Sequence, residues 1–146
     1  DTGYQIVWKR TDYVTECPFD VTSGFVKKST QITDLDADSL AEVTLIYKMS
    51  CRSDVSPDYM KLIMREGAQK YALRGLMCDP GNGPAAQPCA PADSLNLEKM
   101  APLADEWAAM LRSFGRYESE KDFASAPPAF LPHARKLWQR YITSFD

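Results

Sequence analysis

The sequence predicts an α+β fold in which an antiparallel sheet from the first half of the chain is packed by two helices from the second half. Before residue 77, short runs of β-forming residues alternate with turn residues, whereas after residue 94 apolar residues recur at helical spacing. A length of 146 residues with 45% apolar content suits one domain with a real core. We therefore expect a single domain, 1–146, with a β-rich part (1–77), a disulfide loop (78–89) and a helical part (94–146).

Several segments of the first half are predicted as strands. Alternating apolar residues favour a strand over Tyr4–Val14, and a run of β-formers favours another over Val43–Met49. Gly24–Thr33 is also strand-like. A hairpin is expected around the turn Glu66–Gln69, with strands at Tyr59–Arg65 and Lys70–Arg74.

The N-terminus carries a separate expectation. The chain starts with Asp1 rather than Met, so a signal peptide or longer N-terminal region is expected to have been removed, unless the chain begins at an engineered boundary. It enters the Tyr4–Val14 segment directly after a turn. We expect that segment to pair with a strand outside this numbering, from an N-terminal fragment of the same precursor or from a neighbouring chain.

Two helices are predicted in the second half. Pro102 suits the first turn of one helix, and Gly115 ends it. Pro132 opens the other. Both apolar stripes are expected to pack on the sheet, with Trp107 and Trp138 as core residues rather than ligand-binding ones. The stripe residues are Leu103, Trp107, Met110, Leu111 and Phe114, and then Leu131, Ala134, Leu137, Trp138, Tyr141 and Ile142.

Four cysteines indicate disulfides and an oxidising compartment. The pairing Cys17–Cys51 and Cys78–Cys89 is favoured, because the second pair closes a short loop rich in Pro and Gly. A zinc site is the alternative. The sequence has no Cys-x-x-Cys pair, and its one histidine, His133, is remote.

An acidic loop over Asp34–Glu42 is the most specific feature. Carboxylates stand at its positions 1, 3, 5 and 9, and the carbonyl at position 7 can join them as an oxygen ligand. Calcium takes six to eight oxygens, and closely spaced carboxylates repel one another without a cation. A calcium site is therefore predicted, the alternative being a former site that is now a solvated turn. The predicted ligands are Asp34, Asp36, Asp38, Leu40 and Glu42.

This loop resembles the Asp-x-Asp-x-Asp-Gly-x-x-Asp loop of FG-GAP and VCBS-type hairpins, in which an acid at position 9 closes the site. It departs from that pattern at position 6, where Ser39 replaces the usual Gly, and at position 4, where Ala37 stands. It is not an EF-hand, because position 12 is Leu45 rather than Glu.

From Tyr4 to Gly75 the chain also resembles a family of bacterial secreted proteins named surface polysaccharide biosynthesis proteins. The resemblance implies a link to the cell envelope but no enzyme activity. It covers about half the chain, with weak support from the last helix. The stretches that carry it are Cys17–Asp20, Thr33–Asp36, Ala41–Val43, Tyr47–Lys48, Cys51–Pro57, Met60–Met64, Lys70–Ala72 and Arg74–Gly75.

Composition and motifs exclude several functions. A net charge of −3 argues against nucleic-acid binding, and no apolar run is long enough to span a membrane. His133 is the single candidate base of a nucleophile site, and a surface or capping role suits it better. Paired carboxylates for glycoside hydrolysis remain open, with Asp54, Asp58 and Glu66 as candidates.

Two functional hypotheses result. The first is a non-catalytic periplasmic or secreted module that binds a protein or glycan of the cell envelope, stiffened by calcium, with an inhibitor or immunity protein as one form of it. The alternative is an envelope glycan-processing enzyme that uses paired carboxylates. The observation that separates them is whether two carboxylates lie roughly 5–10 Å apart in a groove.

Overall fold

The computed structural model describes residues 3–6, 8–80 and 89–143. The prediction of an antiparallel sheet packed by two C-terminal helices is confirmed. Three short 3-10 turns accompany these elements, at Ala92–Ser94, Leu97–Lys99 and Lys121–Phe123. The strands are β1 (Asp20–Phe25), β2 (Gln31–Thr33), β3 (Glu42–Arg52), β4 (Tyr59–Glu66) and β5 (Gln69–Leu76), and the helices are α1 (Glu106–Ser113) and α2 (Phe130–Tyr141).

The central strand of the sheet is β3, which the β-forming run around Val43–Met49 predicted. The order is β1-β3-β4-β5, and β2 pairs with the same side of β3 as β1 does. The segment predicted as one strand, Gly24–Thr33, is interrupted between β1 and β2 by a turn in which Lys28 adopts a positive φ. The predicted hairpin of β4 and β5 forms around Gly67, whose φ is 49°.

The two faces of the sheet differ in what covers them. Alternate residues of β3, such as Ile46, are buried and share one face with Met60, Leu62 and Met64 of β4. That face, called here the core face, carries α2. The other face presents Tyr47 and its neighbours, which are only half-buried. This face is called the open face.

Helix α2 fits its predicted role, since Trp138 is fully buried and five helix residues are in the core. Helix α1 does not bury the predicted stripe. None of its residues is buried, and Trp107 is 66% exposed. The helix is held mainly at its C-terminal end, where Gly115 with φ 77° donates to the carbonyls of Leu76 and Met77.

The predicted strand over Tyr4–Val14 is wrong. None of the described residues 3–6 and 8–14 belongs to a strand; Val7 lies outside the described residues. The segment lies instead against the open face. Trp8 stacks with the guanidinium of Arg65, 5.2 Å from the ring centroid, and Asp12 bonds to the sheet. Of the alternating apolar residues that suggested a strand, Trp8 makes this contact, whereas Tyr4 and Ile6 are exposed.

Both disulfides have the pairing favoured by loop chemistry. Cys17–Cys51 joins residues 34 apart in sequence and ties the N-terminal segment to β3. Cys78–Cys89 closes a loop of separation 11, most of which, including the prolines and glycines of 81–88, lies outside the described residues. Loop-closure arguments give each bridge about 3–4 kcal/mol of stabilisation.

Candidate functional site

The acidic loop connects β2 to β3 at one end of the sheet. Ala37 and Ser39 both take left-handed backbone conformations, with φ of 62° and 71°. These are the two positions at which the sequence departs from the Gly-containing loop pattern, so the loop keeps the left-handed kinks without glycine. Non-glycine residues rarely adopt such angles because the Cβ clashes with the backbone. Asp38 steadies the kink by accepting a 2.7 Å hydrogen bond from the Leu40 N–H.

Glu42 holds the loop closed from inside. Its side chain is fully buried, and its carboxylate accepts hydrogen bonds from the Thr33 hydroxyl at 2.7 Å and from the Leu35 N–H at 3.1 Å. These bonds satisfy the buried carboxylate. Glu42 is therefore both a structural acceptor for the loop and a negative charge beneath its exposed aspartates.

Two groups of carboxylates can each hold a metal ion. In the first group, ligand atoms of Asp34, Asp36 and Glu42 lie within 4.8 Å of one another. In the second, those of Asp36, Asp38 and Glu66 do so. Asp36 belongs to both. Of the predicted ligands, the four acids thus come together, and Leu40 lies in the same loop with an exposed side chain.

Glu66 was not predicted as part of this cluster. The antiparallel register of β3 and β4 places it directly opposite Glu42. Like charges directly opposite each other in a sheet are destabilising. The sequence feature that could have pointed to Glu66 is its place at the predicted hairpin turn. The sequence does not show, however, that this turn meets the acidic loop, because that depends on the register between β3 and β4.

The environment of Glu66 is unusual for a carboxylate. Its Oε1 is buried and has no hydrogen-bond partner among the described residues. Burial raises its pKa, and the charges of Asp38, Asp36, Glu42 and Asp34 raise the pKa further. An unsatisfied buried oxygen in a strongly negative surrounding is the arrangement that a cation would stabilise.

A second candidate site lies on the open face, where the N-terminal segment crosses the sheet. A groove of about 460 Å³ separates the segment from β1, β3 and β4. Its volume falls within the range of small-molecule and side-chain binding clefts. Most of its lining is apolar or aromatic: Trp8, Phe25, Leu45, Tyr47, Met49 and Ile63, with Arg10, Thr11, Asp12, Ser23 and Gly24.

The polar groups at this groove bond to one another. Asp12 accepts hydrogen bonds from the Tyr47 hydroxyl and, at 2.7 Å, from the Lys61 ammonium, and pairs with Arg10 at 2.5 Å. Burial raises the pKa of Asp12, but these hydrogen bonds and charges outweigh it and lower the value to about 2. Burial and the bond to Asp12 raise the pKa of Tyr47 to about 12. Neither group exchanges a proton near neutral pH.

The pKa of Asp12 predicts an acid-sensitive contribution to stability. Its folded-state value lies below the unfolded one, so the contribution is present above about pH 4 and is lost as the pH falls towards 2. We expect Asp12→Asn to lower the free energy of unfolding by about 1 kcal/mol at pH 7, allowing for solvent screening. The difference from the parent protein should vanish near pH 2.

Urea denaturation at pH 7, 4 and 2.5 measures this difference. Glu120 also has a pKa of about 2, because hydrogen bonds from Tyr117, Lys99 and Arg135 outweigh the effect of burial. It does not affect the comparison. Glu120 titrates equally in both proteins and cancels. If the difference in unfolding free energy between the parent protein and Asp12→Asn does not depend on pH, the charge of Asp12 does not contribute to stability.

The three carboxylates considered for glycoside hydrolysis lie in different surroundings. Asp58 is buried and forms ion pairs with Arg52 at 2.9 Å and Lys48 at 3.5 Å. Glu66 stands at the other end of β4, a strand of eight residues, or roughly 25 Å away. Asp54 is exposed in a turn, where it accepts a hydrogen bond from the Ser56 N–H. The separation of about 5–10 Å in a shared groove is not met by Asp58 and Glu66.

His133 and the cysteines add no nucleophilic site. His133 is half-buried on α2 rather than on the surface; burial lowers its pKa, which Glu42 raises and Lys136 lowers. All four cysteines are in disulfides, which removes both a thiolate and the zinc alternative. The cysteines thus have a structural role.

Comparison with protein-family models, with curated proteins and with solved structures gives no match for this chain. In the described part of the chain, neither helix has the length and apolar character needed to cross a bilayer. The two disulfides are consistent with an extracellular or other oxidising compartment.

Proposed function

We propose that this chain is a non-catalytic binding module of the bacterial cell envelope, periplasmic or secreted, that recognises a partner protein through the open-face groove. The groove is the observation that carries this proposal. It is concave, mostly apolar, and formed between a sheet and a separate segment of chain. Such a surface can receive protruding aromatic or apolar side chains of a partner, which fill pockets at the centre of protein interfaces.

A protein partner suits the groove better than a glycan. Recognition of a sugar needs polar side chains that are free to bond its hydroxyl groups. The carboxylate of Asp12 is occupied by Tyr47, Lys61 and Arg10, and this network satisfies much of the polar lining. The other lining residues are mainly apolar or aromatic.

The glycan-processing alternative lacks support from the same residues. A general acid in a glycosidase needs a raised pKa near the operating pH, whereas Asp12, the carboxylate in the groove, has a pKa of about 2. Asp58 is neutralised by two cations. Both carboxylates are thus engaged in ion pairs within the structure.

We further propose that calcium occupies the acidic cluster and stabilises this end of the sheet. The donor set is hard oxygen, as calcium requires, and the buried Oε1 of Glu66 is a ligand atom without a hydrogen-bond partner among the described residues. The ligands would be Asp34, Asp36, Asp38, Glu42 and Glu66, with the Leu40 carbonyl as the predicted main-chain donor. The ion would have a structural role, as it would bring together the β2–β3 loop and the β4–β5 turn.

The groove proposal is tested by changing its lining. Leu45, half-buried on the open face, lines the groove. Leu45→Glu places a charge there, and Val55→Glu, at a position 89% exposed and outside the groove lining, is the matched control. Immobilised protein is incubated with the envelope extract of the source bacterium, and the bound protein is identified, purified and titrated by calorimetry.

We expect one protein to bind the parent chain and Val55→Glu equally, and Leu45→Glu at least about tenfold more weakly, since burying a charge in an apolar interface costs more than 1.4 kcal/mol. Equal binding to all three proteins would contradict the groove as the site. Binding of a purified envelope glycan that Leu45→Glu abolishes, without any protein partner, would contradict the choice of partner.

A further inference from the structure

The outer edge of β1 is unpaired. Within residues 3–6, 8–80 and 89–143, its only strand neighbour is β3, and no isolated bridge involves it. All six of its residues are exposed. The opposite edge of the sheet differs, because Arg116 and Glu118 bond to the last residues of β5. An exposed strand edge with free N–H and C=O groups is a template for another strand.

The register of β1 on β3 shows which main-chain groups of β1 do not bond to β3. The Val26 N–H donates to the Ile46 carbonyl at 2.9 Å, in the same register that pairs Phe25 with Tyr47. In an antiparallel ladder the bonded positions alternate, so even-numbered residues of β1 direct their main-chain groups towards β3. The N–H and C=O groups of Val21, Ser23 and Phe25 therefore point outward.

The side chains of the same three residues share the open face, because Phe25 contacts the Tyr47 ring there, with centroids 6.2 Å apart. Val21 is 55% exposed and Phe25 is 67% exposed. These two apolar residues stand at equal distances on either side of Ser23. A strand with this symmetry complements a second copy of itself.

We propose that β1 pairs antiparallel with β1 of a second copy of this chain, about a two-fold axis at Ser23. In this register Val21 lies opposite Phe25 of the second copy, and Phe25 lies opposite its Val21. All the free outward groups then meet in bonded pairs, giving about six main-chain hydrogen bonds. The two sheets join into one continuous sheet.

Charge does not oppose this arrangement. The charged residue of β1 is Asp20, which meets Val26 of the second copy. Thr22 meets Gly24 on the other face, so a branched side chain faces a position without one. The interface is a single pair of strands with two apolar pairs, so its area is small, and we expect a dissociation constant in the range of about 10–100 μM.

Sedimentation of the complete chain, from about 5 to 500 μM, tests the dimer. Ser23→Pro removes an outward N–H without removing a bond to β3, since proline is tolerated at the solvent side of an edge strand. Val21→Lys is the second variant, in case the first does not fold. Val55→Lys is the control for adding a lysine at an exposed apolar position. Circular dichroism checks the fold of each variant.

We expect the parent chain and Val55→Lys to dimerise alike, and Ser23→Pro and Val21→Lys to bind at least about tenfold more weakly. Amide exchange provides a second measure: the amides of Val21, Ser23 and Phe25 should gain protection as concentration rises. A parent chain that stays monomeric at about 500 μM, or a dimer unaffected by both β1 variants, would overturn the proposal. The groove shares Ser23, Gly24 and Phe25 with β1, but its test varies Leu45 of β3 against a different partner, so failure here leaves the groove proposal standing.

Discussion

Trp138→Ala should lower the free energy of unfolding by about 3–5 kcal/mol, the largest effect that we expect from one substitution outside the disulfides. Trp138 is fully buried in the core, and its ring meets Tyr117 edge-on with centroids 5.5 Å apart. Its Nε1–H donates to the Gly115 carbonyl at 3.1 Å. Truncation therefore creates a cavity, removes an aromatic contact and leaves a buried carbonyl without its donor.

Trp107→Ala is the matched control, because it removes the same side chain from the other helix. Trp107 is 66% exposed, so its loss should change stability by no more than about 0.5 kcal/mol. Urea denaturation under non-reducing conditions, followed by far-UV circular dichroism, measures both. Equal losses in the two variants would contradict the assignment of α1 to the surface.

A third variant keeps the test informative if Trp138→Ala does not fold. Trp138→Phe retains an aromatic ring but loses the indole N–H and part of the volume. We expect it to cost about 1–3 kcal/mol, less than the alanine variant and more than Trp107→Ala. If Trp138 is buried as described, the loss of unfolding free energy must decrease from Trp138→Ala to Trp138→Phe to Trp107→Ala.

These two tryptophans show what the sequence could not decide. Both lie in apolar stripes at helical spacing, so periodicity alone predicts that both face the core. The sheet, however, offers α2 a face rich in Met60, Leu62 and Met64, whereas α1 is connected to the fold chiefly through Gly115 and its neighbours. Which stripe is buried depends on tertiary position, which spacing does not encode.

The N-terminal segment makes the same point for strands. Its alternating pattern suggested a strand, and alternation does report one apolar side. In the structure Trp8 stacks with Arg65, whereas Tyr4 and Ile6, which share its alternation, are exposed. The pattern therefore identified neither a strand nor a buried apolar side, and the segment contacts the sheet through Trp8 and through the bonds of Asp12 to Tyr47 and Lys61.

Local chemistry was the more reliable guide. The β-forming run of β3, the Gly67 turn and the closely spaced second cysteine pair each determine their structure within a few residues, and each is found. The acidic loop was recognised for the same reason. Glu66 was missed because it joins the loop through a strand register, a relationship between distant segments.

Calcium should stabilise the parent protein and have little effect on Asp36→Asn. Asp36 belongs to both carboxylate groups, so its loss weakens either site. Binding to the folded state alone contributes about 2.7 kcal/mol when calcium exceeds its dissociation constant a hundredfold. For a chain of this size that corresponds to a rise in melting temperature of roughly 5–10 °C.

The sign of the effect should invert when calcium is removed with EDTA. Without a cation, the carboxylates of Asp36, Asp38 and Glu66 repel one another, and Glu42 lies opposite Glu66 across the sheet. Asp36→Asn and Glu66→Gln relieve this repulsion. In EDTA both variants should therefore melt higher than the parent protein, and in calcium they should melt lower.

Asp54→Asn is the control for the change of charge. Asp54 is an exposed acid outside the cluster, and asparagine can still accept the hydrogen bond from the Ser56 N–H. Its melting temperature should follow that of the parent protein in both conditions.

Calorimetric titration with calcium measures binding, and scanning calorimetry in calcium and in EDTA measures the melting temperatures. The site is refuted if the parent protein shows neither binding heat nor a shift in melting temperature at about 10 mM calcium. This concentration exceeds the dissociation constants of the weakest extracellular calcium-binding modules. The same refutation follows if Asp36→Asn gains as much from calcium as the parent does, because a site built on the shared carboxylate cannot survive its removal.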